Sequence, residues 1–407
     1  MCSKLASSVN YDINTNTQLF DQVTAKDVPP MLLILDRKND PTTPLLFPWT
    51  YQSMIHEILG ISNNTVDLSQ APNASDELAT VILNETQDQF YKESMYKNFG
   101  ELSESLKKFV ETYKAKTKTN SNINTIQDMK YFLENYPEFK KISLNLSKHM
   151  MLSSEIDRHI NDQRLWEIGE FEQGMASTSD SSSHSAHLTE LTSLLFDKKK
   201  NARGEPLSPI SQESKLKLLC IYALKYESFP GNQTKNLLKQ LQQSQMIRYE
   251  LLQFVNILLN YAGQSKRLTD DGSIFDKVTN STSLINGLNF NNSADTNNVY
   301  MQHVPRLQQI LMKLARNKLS PKNFPVLKQQ AMNGGLENSD RVPPQEIVIF
   351  FVGGVTYEEA RLVSLLNKAN PGLKCVIGGT SIINSDKFVE ILNDVGSNWG
   401  GSTINRI

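Results

Sequence analysis

Ionisable residues at the end of an apolar run are the first place to look for chemistry. Leu32-Leu33-Ile34-Leu35 is followed by Asp36-Arg37-Lys38-Asn39-Asp40, and then by Pro41-Thr42-Thr43-Pro44. A short, fully apolar run reads as a strand of a parallel sheet. Carboxylates at the carboxyl end of such a strand lie where open α/β sheets keep their ligands and catalytic groups. Asp36 and Asp40 could act as acid or base there, with Arg37 pairing Asp40 or a substrate anion. The competing reading is a rigid turn. Asp and Asn bond to nearby backbone, and the two prolines fix their own φ and push Asp40 and Thr43 toward extended geometry. The turn is preferred. An α/β enzyme acting at Asp36–Asp40 is the alternative.

The other reactive groups are weaker. Gly353-Gly354-Val355-Thr356 follows a second apolar run, where a helix N-terminus could take a phosphate. No Gly-Lys-Ser/Thr and no G-x-G-x-x-G accompanies it, so a tight turn with a helix cap is expected. Gly378-Gly379-Thr380-Ser381 reads the same way. The histidines (His56, His149, His159, His184, His187, His303) have no HExxH spacing. His184 and His187 stand in a Ser-rich stretch without acidic or cysteine partners at metal spacing. No G-x-S-x-G elbow occurs. Cys2, Cys220 and Cys375 are odd in number and far apart, which gives neither a disulfide framework nor a metal cluster. No catalytic residue, cofactor or metal is expected.

Bulk properties narrow the class further. At 407 residues the chain can hold two or more domains. With 42 basic and 43 acidic residues it has no basic field, so nucleic acid is not an expected partner. No run of ~18 or more apolar residues could span a bilayer. A cytosolic or peripheral protein is expected.

The elements that must position these groups follow from periodicity. Lys4 to Phe20 reads as the tail of a helix and a loop. After the turn, Trp49–Leu59 forms a helix stopped by Gly60. A polar loop runs to Asp76, and Leu78–Leu83 is a second strand. From Phe90 the period becomes helical. Tyr96, Phe99, Leu102, Leu106, Phe109, Val110 and Tyr113 form one amphipathic stripe, ending in the basic stretch Lys114–Asn124. Asn124 and Gln127 cap a second helix. Pro137 predicts a break or kink at Asn135-Tyr136-Pro137. Phe139, Ile142, Leu146, Met150, Ser153, Ile156 and Ile160 continue the stripe, with helix to about Met175. The result is a long helical hairpin over 92–175.

Met175–His187 and Lys198–Ser208 read as loops. Leu216–Tyr226, Met246–Tyr261 and Val304–Leu319 read as helices. Asn/Ser-rich Gly263–Asn298 reads as a flexible insert, and Gly334–Pro344 as a linker. Ile347–Val352 and Leu373–Ile377 are strands, joined by a helix to Asn367 that Thr356 and Glu359 cap. The predicted fold is α/β plus mainly α: an incomplete, discontinuous parallel sheet flanked by helices, with a large helical insertion. Its parts are 1–87, the insertion 88–341 (flexible over 263–298) and 342–407.

The string LLILDRKNDPTTPLL followed by WTYQSMIHEILGI resembles the Sec-one/Munc-eighteen (SM) family, in its vacuolar-sorting branch. Asn98-Phe99-Gly100, Lys114-Ala115-Lys116-Thr117-Lys118 and Phe351–Arg361 have counterparts there. The likeness runs from about Tyr11 to Ser385. It implies a non-enzymatic, cytoplasmic protein that binds SNAREs and chaperones syntaxin/SNARE assembly between Golgi, endosome and vacuole. It would reach Golgi and endosomal membranes peripherally, through Qa-SNARE (syntaxin) and R-SNARE helices. It implies the discontinuous sheet and helical insertion too. The family's first domain and the start of its second would precede Lys4, so a truncated member is expected, with exposed sheet edges.

In this family the hairpin is the surface that engages SNARE helices. The residues assigned to that contact are Tyr136, Pro137, Phe139, Lys140, Lys141, Ile142, Leu146 and Lys148. Apolar anchors in a basic surround suit a helix laid in a groove. The stripe by itself favours a packed core instead. A non-functional fragment is the last alternative.

Overall fold

The computed structural model describes residues 1–19, 28, 30–72, 74–121, 126–178, 181–201, 203–268, 298–316, 318–327 and 344–397, with backbone alone for 116–121, 126–139 and 181. The strands are β1 Met31–Asp36, β2 Thr65–Asp67, β3 Thr80–Ile82, β4 Glu346–Val352 and β5 Lys374–Gly379. The helices begin with α1 Cys2–Thr15, α2 Tyr51–Ile58, α3 Gln89–Ser94, α4 Phe99–Ser121, α5 Ile126–Asp162, α6 Leu165–Ser177 and α7 His184–Leu195. They continue as α8 Gln212–Lys225, α9 Thr234–Ser244, α10 Tyr249–Ala262, α11 Arg306–Ala315, α12 Tyr357–Ala369 and α13 Ser385–Ser397. Contacts divide the chain into one unit of 1–46 with 167–407 and a second of 47–166.

The first unit is built on a parallel sheet of order β1-β4-β5, so the two ends of the chain share one sheet, as their apolar runs require. Leu33 faces Ile349 across β1 and β4, and Ile347 faces Cys375 across β4 and β5. One face of this sheet packs on Leu307, Ile310 and Leu311 of α11 and on Leu362, Val363 and Leu366 of α12. That burial is the main stabilising term of the unit. β3 does not join the sheet. It pairs antiparallel with β2, inside the stretch read as loop. Its Val81 is buried and Ile82 is 63% exposed, the one-sided alternation of an antiparallel ribbon rather than the two-sided burial of a parallel strand.

The β4–α12 turn explains its glycines. Gly353 and Gly354 have φ of +99° and +98°. A Cβ on Gly354 would lie 2.5 Å from Ile383 Cγ2, and one on Gly353 2.8 Å from Arg37 Cβ. Gly354→Ala should therefore destabilise the unit by about 2 kcal/mol or more, read as a lower urea midpoint. Thr356 and Glu359 form the expected capping box of α12.

Several helix boundaries differ from the periodic reading. α4 continues through the basic stretch to Ser121, because lysine and alanine are good helix formers. α5 passes through Pro137 as one helix. A proline removes one hydrogen bond and crowds one carbonyl, which the turns on either side of a long helix can absorb. The helix expected to reach Met175 instead stops at Asp162. Arg164, at φ +57°, turns the chain before α6. His184 and His187 lie in α7, not in a loop, since Leu191, Leu194 and Leu195 give that segment a buried stripe. Most of the expected insert (269–297) and linker (334–343) lies outside the described residues.

Candidate partner-binding site

The Asp36–Asp40 turn is structural in its details. Arg37 has no exposed surface. Its Nη2 donates to both carboxylate oxygens of Glu359 at 2.7 and 2.6 Å. Its Nε donates to the Gly354 carbonyl and its Nη1 to the Asp40 carbonyl, each at 3.1 Å. The guanidinium lies 4.4 Å from the Phe351 ring centre. Burial opposes its charge, but Glu359 and Asp40 outweigh that and raise its pKa.

Asp40 accepts from the Thr43 amide (3.1 Å), the Thr43 hydroxyl (2.7 Å) and the Arg306 amide (3.0 Å). Burial would raise its pKa, yet Arg37 and these bonds hold it below the usual carboxylate range. Asp36 accepts from the Lys38 amide at 3.1 Å. Arg37 and Asp40 are spent on holding the turn to α12 and α11, and Asp36 caps the turn itself. The adjacent cavity, bordered by Ile34, Asp36, Lys38, Leu307 and Phe324, is about 190 Å3. That is small for a substrate pocket, which runs to about 300 Å3 or more.

The residues assigned to partner binding all lie on α5 in the second unit, where α4 packs against α5. Tyr136, Pro137 and Phe139 are on the α5 backbone, and their side chains lie outside the described residues. Lys140 and Lys141 are exposed and Ile142 is half-buried. Leu146 and Lys148 turn inward, 7% and 8% exposed. The outward face carries Leu144 and Met150 instead. Met150 was expected in the core stripe; at 51% exposure it is not, and His149 and Leu152 take the buried positions. The five whose side chains are described therefore divide, with Lys140 and Lys141 exposed, Ile142 half-buried, and Leu146 and Lys148 buried.

The inner side of α5 ends in a buried polar cluster that periodicity did not reveal. Asp88 caps α3, its Oδ1 accepting from the Tyr91 amide at 3.0 Å. Its Oδ2 accepts from Lys148 Nζ and, at 2.8 Å, from His149 Nε2. The Tyr51 hydroxyl lies 2.9 Å from His149 Nδ1. In the neutral ring, which the lowered pKa favours, Nε2 donates to Asp88 and Nδ1 accepts from Tyr51. Burial lowers the His149 pKa against the opposing pull of Asp88. Burial alone would raise the Asp88 pKa, but its bonds to His149, Lys148 and the Tyr91 amide bring it far below the usual range.

A hydroxyl–imidazole–carboxylate chain has the connectivity of a hydrolase triad. Here Tyr51 and His149 have no exposed surface and Asp88 has 4%, so no substrate reaches the hydroxyl. The cluster ties α5 to α2 and α3. Asp88 followed by Tyr91 is a readable cap. Its partners 60 and 61 residues on are not.

A sheet made from both ends of the chain, a Leu-Asp-Arg turn locked by Arg37 and a long helix pair stand where the resemblance to the SM class expects them. The chain belongs to the Sec1 family, whose profile matches residues 1–391. It is 38% identical over 392 residues to vacuolar protein sorting-associated protein 45 of Saccharomyces cerevisiae, covering 96% of this chain and 65% of that protein. It is 36% identical over 388 residues to the Homo sapiens protein of that name, covering 95% of this chain and 63% of the other. The solved SM protein Vps45 in complex with the Qa SNARE Tlg2 superposes with a TM-score of 0.82 at 36% identity, over 98% of this chain and 66% of that one. This chain thus spans slightly less than two thirds of the length of these relatives.

Proposed function

We propose that this chain is a SNARE-binding SM protein of the vacuolar-sorting type, which chaperones syntaxin/SNARE assembly in transport between Golgi, endosome and vacuole. The observation that supports this most is the likeness, over 98% of the chain, to a protein solved with a Qa SNARE. Qa-SNARE and R-SNARE helices are the proposed partners. The mechanism is preorganisation: α5 would hold one SNARE helix beside another in register and so lower the ordering cost of zippering. The insertion 88–341, interrupting an α/β domain of 1–87 and 342–407, is the proposed domain that carries α5.

The outer face of α5 has the right chemistry. Leu144 and Met150 are exposed apolar side chains, and Lys140 and Lys141, four and three residues before Leu144, add positive charge beside it. Amphipathic helices with acidic flanks suit such a surface. Tyr136, Pro137, Phe139 and Ile142 extend the contact toward the start of α5. Leu146 and Lys148 would act from inside, holding the helix in place. No helix among the described residues is long and apolar enough to cross a membrane. A cytoplasmic protein, held at Golgi or endosomal membranes through its SNAREs, is the proposed setting.

Phe139→Ala combined with Lys141→Glu should weaken SNARE binding about tenfold or more while leaving the circular dichroism spectrum unchanged. Unchanged affinity in the folded double variant would remove α5 from the contact. Limited proteolysis separates an unstable fragment from a folded one, whose described helices and strands should resist cleavage.

A further inference from the structure

Between α7 and α8 the chain folds back on itself as a small antiparallel ribbon. Lys200 pairs with Pro206 as an antiparallel bridge. The Leu207 amide donates to the Lys199 carbonyl at 3.0 Å, and the Asn201 amide to the Glu205 carbonyl at 2.9 Å. Asn201 shapes the tip, its Oδ1 accepting from the amides of Arg203 and Glu205 at 2.9 and 3.0 Å. Side chains alternate between the two faces of such a ribbon. Lys199, Asn201 and Leu207 are half-buried on one face, where Lys199 bonds Glu167 at 2.8 Å and also Glu190. Lys198, Lys200, Pro206 and Ser208 are exposed on the other. Continuing the register sets Ser208 across from Lys198 and diagonal to Lys200. Opposed Cβ atoms lie about 4.5–5.5 Å apart and diagonal neighbours about 7–8 Å, both within a lysine's reach.

Ser208 stands in the string Pro206-Leu207-Ser208-Pro209. Pro209 confines Ser208 to extended geometry, and Pro206 fixes its own φ. The hydroxyl is therefore exposed on a chain that is already extended. A proline-directed kinase takes its substrate in that shape, with proline directly after the acceptor. The other serine and threonine residues that precede proline are Thr43 and Ser320. Thr43 is 6% exposed, and its hydroxyl donates to Asp40. Ser320 is half-buried, and its carbonyl accepts from the Asn323 and Phe324 amides, so Pro321 enters a turn rather than an extended strand. We propose that Ser208 is a phosphorylation site for a proline-directed serine/threonine kinase, and that Lys198 and Lys200 hold the phosphate. In the transfer, Ser208 Oγ bonds to the γ-phosphorus of ATP and the bond from that phosphorus to the β–γ bridging oxygen breaks. The hydroxyl proton passes to the kinase's base, and ADP leaves. The product carries about −1.5 to −2 charge at pH 7. Beside two ammonium groups it makes charge-assisted hydrogen bonds that tie the two arms of the ribbon together. This inference stands independently of SNARE binding.

The test incubates the full chain with ATP and a mitogen-activated protein kinase, and reads the product by tandem mass spectrometry and phosphorus NMR. Phosphate on Ser208 is expected, with Thr43 and Ser320 unmodified. Pro209→Ala should slow incorporation at least about tenfold. The phosphate should titrate below its usual second pKa of about 6, because neighbouring cations favour the dianion. Lys198→Gln with Lys200→Gln should return the midpoint toward that value. All three substitutions are at exposed positions, so the variants should fold as the parent does. No incorporation at Ser208, by a kinase that modifies a control peptide, overturns the site. So does equal incorporation in Pro209→Ala. Labelling of Thr43 or Ser320 as fast as Ser208 would show that the fold does not choose the acceptor. An unchanged midpoint in the double lysine variant overturns the phosphate clamp.

Discussion

Arg37→Ala should remove about 3–5 kcal/mol of stability, a large part of the about 5–15 kcal/mol typical of a folded domain. Arg37 is fully buried, and its side chain bonds Glu359, the Gly354 carbonyl and the Asp40 carbonyl. Truncation leaves the Glu359 carboxylate buried without its counter-charge. It also releases the turn that joins β1, the β4–α12 glycines and α11. Glu359 has a second task, since it closes the capping box at the Thr356 amide. The informative control is therefore Arg37→Met with Glu359→Gln. It removes both charges and keeps an acceptor for the cap. The double variant should recover much of the loss, because buried ion pairs are costly to break and cheap to replace together. Urea unfolding followed by circular dichroism decides. A single variant that unfolds at the wild-type midpoint would show that the turn is held by something else.

The Asp88 cluster should make the second unit sensitive to acid, in two stages that different variants remove. His149 has its folded pKa lowered by burial, so the unfolded chain binds the proton more readily. Its contribution is complete above the unfolded value of about 6.5 and declines as pH falls from there toward the folded value. Asp88 is also depressed, so its contribution is complete above about pH 4 and declines below that. His56, His184, His187 and His303 are lowered too, His187 to about 4, and they act in the same direction. The readout is therefore the difference between wild type and variant. His149→Gln should flatten the decline that begins below about pH 6.5, and Asp88→Asn the further decline below about 4. Asp88→Ala at pH 7 should cost about 3 kcal/mol or more, since it strands the buried Lys148 ammonium and uncaps α3. Parallel curves for wild type and His149→Gln would mean that the imidazole is not neutral in the folded state.

These two clusters mark what sequence can and cannot disclose. The strands β1, β4 and β5 were legible because each is a short apolar run bounded by glycine, proline or charge. The capping box was legible because both partners lie within one turn. The turn residues were legible as a turn, but the role of Arg37 was not, because Glu359 is 322 positions away. β3 was legible as a strand, but its partner β2 was read as loop for a related reason: three-residue strands have too little pattern to reveal their pairing. Pro137 was over-read, since a local helix breaker does not say how strongly neighbouring turns resist it. The proposed partner site was least legible. Helical periodicity identifies a stripe, but burial decided that Leu146 and Lys148 turn in while Leu144 and Met150 turn out. The family resemblance supplied the partner class, which no residue pattern in the chain specifies.

The most direct test of the proposed function is a calorimetric titration of this chain with the SNARE motif of a trans-Golgi syntaxin lacking its N-terminal peptide. The expected result is saturable binding by the chain as it stands, weakened by Phe139→Ala with Lys141→Glu. No heat of binding, from a chain that circular dichroism shows to be folded, would contradict it. The SM likeness would then describe descent, and the contact with syntaxin would reside in the part of the relatives that this chain does not match.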